Sequence, residues 1–169
     1  MVSTVAQPID DPDLGRFTWD QRYKFWLGGI EVPKGNPAYL TLHVGPEERD
    51  RAVALARETA TRLGTVEAEA RRFAAAELLK DQRSAWAANQ PPDVERAVGQ
   101  MVLNSVAAEA DGMLELAYGN DVYFGGVEFI VWFDRDGGRG VTVIDDELSE
   151  EEDAEPDAAA DGGRDPGSS

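Results

Sequence analysis

The chain has no cysteine, one histidine (His43) and three lysines (Lys24, Lys34 and Lys80) among 169 residues. Without cysteine there is no disulfide framework and no zinc–thiolate site, which fits a reducing compartment. With one histidine, a single side chain ordinarily titrates near neutrality, so multi-histidine metal sites are excluded. Long apolar runs are also missing. No window approaches the ~20 apolar residues of a membrane span, and Met1–Pro12 lacks the cationic start and apolar stretch of an export signal. These absences predict a soluble, cytoplasmic protein that does not engage membranes. Gly125-Gly126 is followed by neither a helical pattern nor Lys-Ser/Thr, so no phosphate-binding loop is expected, and no motif calls for a cofactor.

What the chain does have is negative charge, −17 overall. It is uneven: from Asp145 onward eleven acids face Arg164 alone, leaving −7 on the body. Even the body repels phosphate backbones, which argues against sequence-independent nucleic-acid binding and makes a basic protein the natural partner class. The tail, residues 145–169, cannot bury apolar surface and reads as disordered. Residues 1–13, with three acids and two prolines, read as a flexible arm. Residues 14–144 form one domain, long enough to bury about two thirds of its unfolded surface without a staple.

Within that domain the periodicity first predicts strands. Phe17 and Trp19 alternate with Arg16 and Thr18, and Asp20-Gln21-Arg22 is a turn. Tyr23, Phe25 and Leu27 continue one face with Lys24 and Trp26 opposite; Gly28-Gly29 then shifts the phase to Ile30 and Val32 as a β-bulge does. After a turn over Pro33–Pro37, Leu40, Leu42 and Val44 point inward, and Tyr39, Thr41 and His43 outward.

Helices follow. Pro46-Glu47-Glu48 opens one whose stripe is Ala52, Ala56, Ala60 and Leu63. Gly64-Thr65 interrupts it, and a second helix reaches about Ala88 before Pro91-Pro92. Asp93 caps a short third helix through Val98. Four strands then close the domain: Met101–Ala108, Met113–Tyr118 after an Asp111-Gly112 hairpin signal, about 126–134, and 139–144. The unbroken apolar run Phe129–Phe133 reads as a central strand buried on both faces. Strands segregated from helices predict an α+β fold: a largely antiparallel sheet of about six to seven strands with two main helices on one face.

Three features together resemble the opening, middle and close of an uncharacterised bacterial family, domain of unknown function 2262, over about residues 14–134. They are Leu14-Gly15-Arg16-Phe17-Thr18-Trp19-Asp20 with Tyr23 and Trp26; a helix ending in Leu78-Leu79 before Trp86; and Asp111-Gly112 followed by Tyr123-Phe124-Gly125-Gly126 and an apolar strand. The resemblance implies a bacterial α+β domain and no activity. Many members place a histidine after the Phe-x-Gly step, where this chain has Val127, so no site role carries over from it. Small acidic domains of this kind often accompany toxins as immunity proteins, an analogy of context only.

Candidate chemistry is sparse. His43 lacks an accompanying Ser or Cys motif and suits a surface or structural role better than catalysis. Asp134-Arg-Asp136-Gly-Gly with Asp145 has alternating oxygens like a calcium loop, but Gly138 and Asp145 occupy positions that should hold an oxygen side chain and a glutamate. A hairpin turn fits better, and no metal site is assigned. Glu109, Asp111, Glu115, Asp121 and Glu128 gather in sequence; they could do acid–base work only if two shared a buried pocket, and in strands they more simply line the wet face.

The strongest binding candidates are Trp26, Lys24, Arg22, Tyr39 and His43, expected on the helix-free side of the sheet, with packing under the arm or against a neighbouring strand the favoured alternative for Trp26. The leading reading is a non-enzymatic interaction domain, immunity- or antitoxin-like. The alternatives are a carboxylate-based metal- or ligand-binding domain or hydrolase, and an accessory structural domain without a ligand. No motif specifies an oligomeric state.

Overall fold

A computed structural model describes residues 6–80, 93–119 and 128–144. The N-terminal half builds four strands: β1 (Ile9–Asp11), β2 (Gly15–Asp20), β3 (Phe25–Ile30) and β4 (Ala38–His43). After helices α1 (Arg49–Lys80) and α2 (Val94–Gln100) come β5 (Val102–Glu109), β6 (Leu114–Gly119), β7 (Glu128–Phe133) and β8 (Arg139–Ile144). The strands hydrogen-bond in chain order, β1 to β8, in one eight-stranded sheet. Every neighbouring pair is antiparallel except β4–β5, which is parallel. Two four-stranded meanders are thus joined side by side. A parallel join needs a crossover, and the helices supply it, packing α1 over β4 and β5. No helix among the described residues is long and apolar enough to cross a membrane.

The expected α+β class and single helical layer are present, with one more strand than the upper expectation. The extra strand is β1, inside the segment read as a loose arm. Ile9 pairs with Phe17 and is buried, and Asp11 accepts hydrogen bonds from the Asp13 and Leu14 amides and pairs with Arg57 at 2.8 Å. Those amides come first in holding the Asp11 carboxyl below the usual range, and Arg57 adds to them. Two prolines and three acids concealed one apolar residue with a partner strand waiting for it.

Helix α1 does not break at Gly64-Thr65. One buried stripe (Ala52, Ala56, Thr59, Leu63, Glu67, Ala70, Ala74 and Leu78) runs through the glycine without losing phase. A helical glycine costs about 1 kcal/mol relative to alanine, too little to end a helix whose packing continues on both sides. Thr65 does not cap; its hydroxyl donates to the Arg62 carbonyl. Helix α2 begins at the expected cap, where the Asp93 carboxylate accepts from the Arg96 amide.

The stripe contains a surprise in Glu67, which is buried. Its partner is Arg71, one turn on, whose Nε donates to Glu67 Oε1. Arg71 Nη1 also donates to the carbonyls of Val98 (3.2 Å) and Met101 (2.5 Å), and its guanidinium lies 5.6 Å from the Tyr118 ring centroid. One arginine therefore joins α1, the C-terminal end of α2 and β6.

Tyr118 is buried, stacked on Phe129 at 5.5 Å, and its hydroxyl has no hydrogen-bond partner among the described residues. Burial, with the Glu67 charge second, pushes its pKa well above the ordinary tyrosine value. The folded state therefore holds this proton more tightly than the unfolded chain. Its contribution is fully present below pH ~10 and is lost as pH rises beyond, by up to about 1.4 kcal/mol per pH unit. Urea unfolding between about pH 9 and 11 should show that slope in the native chain and a shallower one in Tyr118→Phe. Equal slopes would refute the assignment.

Candidate interaction surface

The sheet has a helix-covered face and a face that no described helix covers. The phase of β3 decides which residues belong to each. Register is continuous: Trp26 opposes Leu42, Gly28 opposes Leu40 and Ile30 opposes Ala38. There is no bulge at Gly28-Gly29, so Trp26 shares a face with Ile30, Leu40 and Leu42, and all four are buried. Gly28 is needed there because the Phe17 ring occupies the space of a side chain; a Cβ would stand 2.4 Å from it.

Trp26 is therefore a core residue, correcting its assignment as a partner-binding anchor. It is 0% exposed, its Nε1 donates to the Gly45 carbonyl at 3.2 Å, and its ring meets Trp19 edge-on at 5.5 Å. Phase misled the sequence reading twice at once. Choosing Tyr23, Phe25 and Leu27 as the inward face required an invented bulge to reach Ile30. Trp26, Ile30 and Val32 were in phase all along.

The other candidates lie on or beside the uncovered face. Tyr39 is on it and 67% exposed. His43 is on it too and half-buried, with Nδ1 3.5 Å from Glu109 Oε1 and Nε2 3.3 Å from Thr41 Oγ1. The Phe25 ring lies 5.5 Å from His43, and Tyr23 stacks on Phe25 at 6.0 Å.

Arg22 and Lys24 are in the β2–β3 turn rather than in a strand. Asp20 Oδ1 accepts from the amides of Arg22 and Tyr23, Lys24 has φ 60°, and the Arg22 guanidinium sits 5.1 Å from the Tyr23 ring centroid. They form a small cationic corner of the face. His43 lies between the Glu109 carboxylate and the Thr41 hydroxyl on an open surface, and among the described residues no serine is placed against it.

The register extends this face across six strands. Leu27, Thr41, Ala107, Glu115, Trp132 and Gly140 form one row. Tyr39, Ser105, Ala117, Ile130 and Thr142 form the next. Small side chains in the middle are flanked by larger apolar ones. Trp132 lies flat over β8 because Gly140 leaves room: a Cβ there would be 2.5 Å from the indole.

The Phe129–Phe133 run thus has a different cause from the expected one. β7 is next to the sheet's edge, and only Phe129, Val131 and Phe133 are buried, while Ile130 and Trp132 are half-buried on the uncovered side. A continuous apolar run here marks an uncovered face that is itself apolar.

The carboxylates do not share a pocket. Glu109, Glu115 and Glu128 stand on three different strands of the uncovered face, while Asp111 accepts from the Met113 amide in the β5–β6 turn. Asp121, Val127 and Gly125-Gly126 lie outside the described residues, as does the tail from Asp145. Strands β4 to β7 carry these three acids and no lysine or arginine. Asp134 closes the β7–β8 turn, accepting from the amides of Asp136 (2.9 Å) and Gly138 (2.6 Å), which is hairpin geometry. Among the described residues no three His, Asp or Glu side chains converge as a metal site would need.

A family profile described as "Uncharacterized protein conserved in bacteria (DUF2262)" matches residues 11–140. The chain belongs to the DUF2262 family. The match takes in every element from the end of β1 to the start of β8, and with them the uncovered face. No curated protein and no solved structure matches the chain. The residues sequence reasoning missed were Leu27, Ile130 and Trp132. The parity of β3 and the unbroken apolar run of β7 marked them as apolar strand positions, and the assembled sheet put them on the uncovered face.

Proposed function

We propose that this DUF2262 domain is a non-catalytic protein-interaction module. Its uncovered sheet face receives an apolar segment flanked by lysine or arginine. The observation that carries this reading is the composition of β4 to β7: half-buried Ile130 and Trp132 and exposed Tyr39, beside Glu109, Glu115 and Glu128, with no cation among them. Apolar and aromatic surface supplies affinity once water is displaced, and uniform charge selects the sign of the partner. A second copy docking through the same face would set these acids against each other, which disfavours it. A basic cytoplasmic effector held by an immunity-like domain is one partner class with this chemistry.

A photo-crosslinking residue at Tyr39, compared with one at the exposed Thr61 on α1, tests this in the bacterial host. A discrete adduct is expected from position 39 alone. Joint Glu109→Lys and Glu115→Lys substitution should remove it, and about 0.5 M salt should weaken it on the order of tenfold. Identical adducts from both positions, or none from position 39, would defeat the proposal.

A further inference from the structure

The uncovered face has a low floor, two raised sides and two acidic ends. On β5 and β6 the floor is small: Ser105 sits opposite Ala117, and Ala107 opposite Glu115. Tyr39 of β4 stands on one side of these strands, and Ile130 and Trp132 of β7 on the other. Glu115, with Glu109 close by on β5, marks one end. Glu128 marks the other, folded over Gly119 with its Cγ 3.0 Å from the place a Cβ would take. Glu115 and Gly119 are four residues apart along β6, about 14 Å.

A partner on this face meets no free backbone. Each of β4 to β7 has a hydrogen-bonded neighbour on both sides, so its amides and carbonyls point into the ladder. Between the acidic ends, Ser105, Ala107, Ala117 and Ile130 carry one hydroxyl among them. An extended or irregular segment laid there would bury N–H and C=O groups with nothing to pair them, which is costly. A helix arrives with its main chain already satisfied. The opposite face of the same sheet is covered in this way, by α1 over β4 and β5. A helix on the second face would give the sheet a layer on each side.

Given the interaction module proposed above, on which this rests, we infer that the docked segment is a basic amphipathic α-helix lying along β5 and β6. A helix is about 10–12 Å across. The sides on β4 and β7 are three strand spacings apart, about 14 Å, so one helix fills the floor. Its apolar stripe packs between Tyr39 and Trp132, and cations on its flanks reach the acids. Lysines or arginines two or three turns apart, about 11–16 Å, bracket the separation of Glu115 from Glu128. A second copy is a poor source of such a helix, because α1 already buries its stripe against its own sheet.

Two synthetic peptides of about 18 residues, long enough to be helical, test this against the full chain. One has an apolar side of leucine and alanine flanked by lysines two and three turns apart. In the other, two central alanines are replaced by proline, which interrupts a helix and keeps every charge. Amide chemical shifts are the readout, because a peptide held elsewhere on an acidic chain would not move Ala107, Ala117 and Ile130 together. The first peptide is expected to shift these amides and the Trp132 indole, with a dissociation constant on the order of 10–100 µM. The proline peptide should bind roughly tenfold more weakly or worse, and joint Glu115→Lys and Glu128→Lys substitution should weaken the first peptide by a similar factor. Equal affinity for the two peptides, binding of neither up to about 1 mM, or shifts confined to other strands overturns the helical occupant. So do shifts at these positions that follow protein concentration alone, which would seat a second copy on the face. A Tyr39 adduct alongside any such result keeps the interaction module and removes only the helix; loss of the adduct removes both.

Discussion

Arg71→Ala is expected to lower the free energy of unfolding by about 3–5 kcal/mol. The substitution leaves Glu67 as a buried carboxylate without its cation, and it removes the donor shared by the carbonyls of Val98 and Met101. Taking away one partner of a buried pair costs far more than taking away both, because the survivor keeps its desolvation penalty. Joint Glu67→Leu and Arg71→Leu substitution is therefore expected within about 1.5 kcal/mol of the native chain, restoring most of what Arg71→Ala loses. Against a typical domain stability of about 5–15 kcal/mol, the single change consumes a large share. Urea unfolding followed by circular dichroism measures both. A single-variant loss below about 1 kcal/mol would show that the pair is hydrated and that α1, α2 and β6 are joined by other means.

Trp26→Ala is expected to cost a similar amount, about 3–5 kcal/mol, by opening a cavity among Trp19, Leu42 and the start of α1. Trp26→Phe isolates the polar part. It keeps most of the apolar volume but removes the indole donor to Gly45, and should cost about 1–2 kcal/mol. In fluorescence, Trp26→Ala should lose a buried, blue-shifted component, while Trp132→Ala should lose a more solvent-responsive one and leave stability closer to native. The opposite pattern, a stable Trp26→Ala protein that no longer binds a partner, would return this residue to the surface and reverse the two faces of β3.

The Glu67 pair and the phase of β3 show where sequence reading succeeds and where it stops. β8 was predicted at 139–144 and lies there, because a tight Asp-Gly turn on one side and β-branched residues beyond it are local signals. The Asp111-Gly112 hairpin and the Asp93 cap were legible for the same reason: each is a contract between residues two to four apart. Glu67 was invisible. Burying a carboxylate is favourable only beside a cation that also satisfies carbonyls about 30 residues away, and no local pattern announces that closure.

The alternation of Trp26, Ile30 and Val32, the apolar content of Phe129–Phe133 and the excess of acid are properties of neighbouring residues and of composition. They determined that this chain makes antiparallel strands, a helical layer and an acidic surface. Which side of each strand the helices cover was decided only by the assembled sheet. Inward and outward differ by a single residue of phase, and partner strands distant in sequence settle it. The placement of Trp26 inside, and of Trp132 on the face left open, belongs to tertiary structure for that reason.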